Sequence, residues 1–140
     1  MTDGLDQALA NAGLALLNAD PLTPALVVYD GAVPSPTPAP PYVVVYTTVD
    51  RPSEDLDNSA DGRTRVWVAR WICHCVGANA VASRAVAQRV RTQLLDAAPT
   101  IVGLSCGKVR QEQTQPPQRD ETTGVLVMDA VEVYRLKATS

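Results

Sequence analysis

The sequence predicts an α+β fold in which two helices pack on a mostly antiparallel sheet. Three observations support this. Two segments carry apolar residues at helical spacing, several runs are rich in β-branched residues, and Pro or Gly punctuates the joints between them. The element order they give is α-β-β-β-α-β-β, with consecutive strands near enough in sequence to pair as hairpins.

Residues 3–18 read as the first helix. Leu5, Leu9, Ala12 and Leu16 fall on one face, Asp3 is placed to cap the start, and Asp6 lies favourably in the first turn. Pro21 stops it, because proline lacks an N–H and crowds the preceding turn. Gly13 weakens this helix by about 1 kcal/mol relative to alanine, so tertiary contacts must hold it.

A short apolar strand, Ala25–Tyr29, leads into the Pro-rich stretch 33–41. So many prolines exclude a helix or a central strand and hold the chain extended as a stiff connector. Tyr42–Asp50 and Thr64–Val76 read as an antiparallel hairpin closed by an acidic loop at 51–62.

The second helix, Asn79–Ala97, has Asn79 as its cap and Ala82, Val86, Val90, Leu94 and Ala97 as its apolar stripe. Arg84, Gln88, Arg91 and Thr92 take the opposite side, and Pro99 follows as a stop. Strands at Lys108–Gln115 and Val125–Leu136 close the chain around Pro116-Pro117 and Gly124.

Composition narrows the function classes. At 140 residues, 46% hydrophobic and 19% charged, the chain is expected to form one globular domain, 1–140. With no Phe, Val, Ala and Leu must fill its core. A net charge of −3 without a basic stripe argues against free nucleic-acid binding. Arg84, Arg89 and Arg91 read as one solvated helix face. No signal peptide is legible, and no apolar run approaches the roughly 18–20 residues that span a bilayer, so no membrane partner is expected. Three cysteines do not make a disulfide framework, which points to folding in a reducing cytoplasm.

The strand 64–76 is too apolar on both sides. One face carries Trp67, Ala69, Trp71, Cys73 and Cys75; the other carries Val66, Val68, Arg70, Ile72, His74 and Val76. Either one helix covers each face, or a second subunit covers part of one. On the second reading Trp67, Arg70, Trp71 and His74 are candidate sheet-face contacts. At roughly 3.3 Å per residue an unbroken strand of this length runs about 43 Å, so a bulge or a projecting arm is expected.

No catalytic constellation is legible. Cys73-His74-Cys75 suggests a metal site, but in a strand His74 points away from both cysteines, and zinc needs about four converging ligands. His74 is the only histidine, and neither a Gly-x-Ser-x-Gly elbow nor a phosphate-binding Gly-rich loop is present. No metal, cofactor or catalytic residue is therefore assigned. Asp50, Glu54, Asp55, Asp57 and Asp61 gather in the acidic loop. They read as a solvated loop, or as an interface or ring lining whose negative charge would keep passing DNA from sticking.

Over most of its length the chain resembles the tail terminator (tail-completion) proteins of long-tailed bacteriophages. The resemblance is carried by the N-terminal helix, the Pro-rich lead into Pro41-Tyr-Val-Val-Val-Tyr46 and the acidic loop. It is strongest where Arg65-Val-Trp-Val-Ala-Arg-Trp-Ile-Cys-His-Cys-Val76 runs directly into Asn79–Leu95. It implies a non-enzymatic virion protein at the head–tail junction, a homo-oligomeric ring, typically a hexamer. The expected partners are the tail tube protein and the head–tail connector protein, with DNA passing through the ring. Other connector or tube components, a host-protein-binding module, and a small ligand-binding or enzymatic domain using the Arg70/His74 face are the alternatives.

Overall fold

In the computed structural model, which describes residues 4–51 and 65–140, the chain runs through nine elements. In order they are α1 (Leu5–Asn18), β1 (Val28–Asp30), β2 (Tyr42–Asp50), β3 (Val66–Gly77), α2 (Ala80–Leu94), β4 (Ser105–Cys106), β5 (Arg110–Thr114), β6 (Gln118–Asp120) and β7 (Val127–Thr139). The seven strands form one sheet, β1-β2-β3-β7-β4, with β5 and β6 also paired to β7. Every pairing is antiparallel except β1–β2. The α+β architecture and the order of the main elements follow the sequence expectation; β4 and β6 are the additions.

β3 is the centre of the sheet. Its twelve residues pair without a break from Val66↔Thr139 to Gly77↔Met128, while Tyr42–Asp50 pair along its other side. The expected bulge or arm is therefore absent from β3, because a neighbour on each side satisfies its backbone. The irregularity falls instead in β5, between Gln111 and Gln113.

Cross-strand partners share a face, so the register sorts the side chains. Trp67, Ala69, Trp71, Cys73 and Cys75 stand with Val43 and Val45 of β2 and with Ala130, Tyr134, Leu136 and Ala138 of β7. Leu9 and Leu17 of α1 and Val86, Val90 and Leu94 of α2 pack against that same set. Both helices thus cover one face, which overturns the reading that places one on each side.

The helix faces are set by what they meet. α1 buries Leu9, Ala10, Gly13 and Leu17, a stripe rotated from the expected one. A Cβ on Gly13 would lie 2.6 Å from the Trp71 ring, so the residue that weakens the helix is the one that admits the indole. The Trp71 Nε1–H donates to the Leu9 carbonyl at 3.1 Å. Asp3 lies outside the described residues; Gly4 occupies the cap position without a side-chain bond.

α2 starts immediately after β3. Asn79 accepts from the Ala82 N–H at 2.8 Å, satisfying one of the free amides of the first turn. Buried Ser83 donates its hydroxyl to the Cys75 carbonyl at 2.7 Å. Gly77 makes this passage possible, since a Cβ there would meet the Ser83 amide nitrogen at 2.3 Å.

On the opposite face Tyr42, Val44, Val76 and Val127 form a smaller cluster joined by Tyr29 and Val33. The segment that returns the chain from β1 to its parallel neighbour β2 therefore packs across one end of this face. The acidic residues Glu54, Asp55, Asp57 and Asp61 lie outside the described residues; Asp50 ends β2.

Candidate assembly face and helix-side cleft

The face without helices carries two of the sequence-predicted contact residues, Arg70 and His74, held apart by separate partners. Arg70 Nε–H donates to Glu112 at 2.9 and 3.2 Å, and its guanidinium also pairs with Asp50. Arg135 stands 3.9 Å from the same Glu112. His74 Nδ1 lies 2.8 Å from Asp129 Oδ2, and Tyr46 sets its ring edge-on at 5.4 Å. Tyr46 is 42% exposed opposite Ile72, and Val68, Ile72 and Val131 are half-buried on the same face. This middle zone is amphipathic: β-branched side chains stand between ion pairs.

Trp67 and Trp71 are not on this surface. They lie beneath the helices, Trp71 fully buried, so the alternation of the strand withdraws them from any partner. That corrects their assignment as sheet-face contacts.

The hydrogen bond to Asp129 raises the His74 pKa above its ordinary 6.5, outweighing the opposing effect of burial; Asp120 adds to the rise. A raised folded value means the pair stabilises fully below about pH 6.5, and the contribution fades as pH climbs through the raised value. The gap in Tm between the native protein and His74→Asn is expected to be larger near about pH 5.5 than near about pH 8.5. A gap of the same size at both would rule the pairing out.

Cys73 and Cys75 are fully buried on the helix face, across the sheet from His74. Burial pushes the Cys73 thiol up to about 12 and raises Cys75 as well. Both thiols donate weakly to strand carbonyls, Cys73 to Trp71 and Cys75 to Cys73. Among the described residues no group of three or more His, Cys, Asp or Glu side chains is arranged to hold a metal ion. Cys106, on β4, is half-buried. In the folded protein a thiol reagent is expected to modify Cys106 alone, and all three cysteines once denaturant is added; rapid native labelling of Cys73 would contradict the burial.

The three arginines expected on one solvated face behave differently from one another. Arg89 is tied to Asp20 at 2.5 Å and to the Pro24 carbonyl at 2.8 Å. Arg91 donates to Glu132 at 2.6 Å and to Gln88 at 2.9 Å. Only Arg84 is exposed without a partner among the described residues. Helical spacing puts residues 84, 88 and 91 in one row, and β7 lies beneath that row.

Glu132 is the polar residue that sequence reasoning missed. It is 1% exposed and faces the helices between Ala130 and Tyr134. Arg91, Gln111 (3.1 Å) and Tyr134 (3.5 Å) satisfy it. The available signal was a lone acid in the apolar run Val131-Glu132-Val133-Tyr134, two positions from a residue bound for the core. A cleft of about 330 Å³ opens above it, walled by Arg84, Gln88 and Arg91 on one side and Pro116-Pro117 on the other. A second cleft of about 450 Å³ lies between α1 and β2 and includes Asp6, Asp30 and Thr47. Neither is lined by Arg70 or His74.

These observations define a class of fold: an α+β subunit with both helices on one face of a seven-stranded sheet and the other face left to strands and a Pro-rich return. No protein-family description matches the sequence, and no curated protein matches it. Among solved structures, a chain from "Virion of native gene transfer agent (GTA) particle" superposes with a TM-score of 0.72 at 20% identity, covering 96% of each chain. A second solved chain, which carries no functional description, gives 0.59 at 17% identity over 99% of this chain and 93% of that one. At these identities the likeness is one of fold.

Proposed function

We propose that this chain is a structural subunit of a phage-like virion, and within it a tail terminator. The carrying observation is the likeness of fold over 96% of both chains to a component of a gene transfer agent particle. The resemblance of the Arg65–Val76 strand and the Asn79–Leu95 helix to tail terminators supports that position within the class. On this reading the single domain assembles with copies of itself, typically six, into a ring. The ring ends tube growth and joins the tube to the head-side connector.

It works by surface complementarity. The helix-free face, with exposed Tyr46 among half-buried Val68 and Ile72, offers apolar area bounded by ion pairs, the composition of an assembly interface. The acidic loop beyond Asp50 would repel the DNA backbone passing through the lumen. Arg70 and His74 are engaged by Glu112, Asp50 and Asp129, which favours this role over an enzymatic pocket.

Deleting the protein from the particle that encodes it is expected to give overlong tails without heads under the electron microscope. Tails of normal length, joined to filled heads, would overturn the terminator reading.

A further inference from the structure

We propose that the cleft between α2 and the β5–β6 segment is a carboxylate-recognition site that receives an acidic peptide segment of a neighbouring subunit. Its floor and walls are already arranged for such a ligand. Glu132, at the bottom, already accepts from Arg91, Gln111 and Tyr134, and its charge is balanced by one guanidinium. Arg84 remains, exposed and without a partner among the described residues, at the rim of the same row. The side chain of Gln88 accepts from Arg91 through its oxygen, which leaves its amide hydrogens without a partner among the described residues. Gln115 adds a second amide from the facing wall.

The cleft therefore holds uncommitted donors in Arg84 and Gln88, and its lining of two arginines and one glutamate carries one net positive charge. A single carboxylate supplies both what the donors lack and the matching charge, and guanidinium–carboxylate hydrogen bonds are among the stronger ones. Pro116 and Pro117 make the other wall. Their fixed φ angles make that wall stiff. At about 330 Å³ the cleft is at the small end of ligand sites, suited to one acidic side chain and its neighbours. A nucleic-acid backbone is the poorer match, because it brings a row of phosphates to a cleft with one uncommitted cation among the described residues.

The site rests on its own geometry; only the identity of the partner rests on the assembly reading. The probe is a synthetic peptide with the sequence of residues 50–62 of this chain, added to the intact protein. Its control has every Asp and Glu changed to the amide. The acidic peptide is expected to shift the side-chain amide resonances of Gln88 and Gln115. Arg84→Glu should weaken that binding by about tenfold or more, while Arg84→Lys retains part of it. Arg84 touches no partner whose loss would unfold the protein, and melting curves of both variants check this. Unmoved Gln88 and Gln115 signals, or equal binding of the amide control, would overturn the proposal. So would a DNA oligonucleotide that shifts the same resonances more tightly than the peptide. None of these results depends on tail length, so the site and the terminator reading can fail separately.

Discussion

Replacing Trp71 by alanine is expected to cost about 4 kcal/mol of stability, measured as a shift in the urea midpoint. The residue lies at the middle of the central strand and is the largest fully buried side chain among the described residues. Its removal loses the transfer of a whole indole from water and leaves a cavity that a sheet fixed on both sides cannot collapse. It also leaves the Leu9 carbonyl without the indole donor. Trp71→Phe keeps most of the volume and should cost much less, about 1 kcal/mol for the lost hydrogen bond together with a small repacking term.

A double-mutant cycle tests the contact itself. On helix propensity alone, Gly13→Ala should stabilise by up to about 1 kcal/mol. In the native protein it is expected to destabilise, because the new Cβ would lie 2.6 Å from the Trp71 ring. In the Trp71→Ala background the ring is gone and the same change should become stabilising. That reversal of sign is the readout, and its absence would show that the indole does not lie against α1.

The second large effect is expected at Gly77. Gly77→Ala should lose about 3 kcal/mol, at the upper end of the usual cost of overpacking. The added Cβ would stand 2.3 Å from the Ser83 nitrogen and 2.6 Å from the Ala82 carbonyl carbon. Both are backbone atoms of the first turn of α2, so relief requires moving the helix start, with the Ser83–Cys75 bond that anchors it. Gly107→Ala is the control, since the nearest atom to its Cβ would be the Lys137 carbonyl oxygen at an ordinary 3.7 Å. Equal stability of Gly77→Ala and the native protein would remove the strand-to-helix joint from the account of this fold.

Much of the architecture was legible because its signals are local. Apolar spacing marked both helices, Asn79 marked the start of α2, and β-branched runs marked β2, β3 and β7. Alternation along β3 correctly set His74 across the sheet from Cys73 and Cys75. β4 and β6 were not legible. They are two and three residues long and polar, and they are strands only because β7 offers them an unpaired edge.

The candidate sites were less legible, because polar partners come from elements far apart in sequence. Glu132 meets Arg91 across forty-one positions, and His74 meets Asp129 across fifty-five. Arg84 and Arg91 share one helical row, yet Arg91 is tied to Glu132 and Arg84 is unpartnered among the described residues. Gly13 read only as a cost until Trp71 supplied its reason.

The type and order of the main elements and the two sets of side chains on β3 follow from local sequence. Hydrogen bonding between near neighbours and the two-residue repeat of a strand are properties of a short stretch of chain. Which set the helices cover depends on packing between distant segments, because both sets are apolar enough to be buried and the choice turns on shape. The indole of Trp71 fits against Gly13, and Gly77 lets α2 close down beside the same strand; the Arg70/His74 side is thereby left for other contacts.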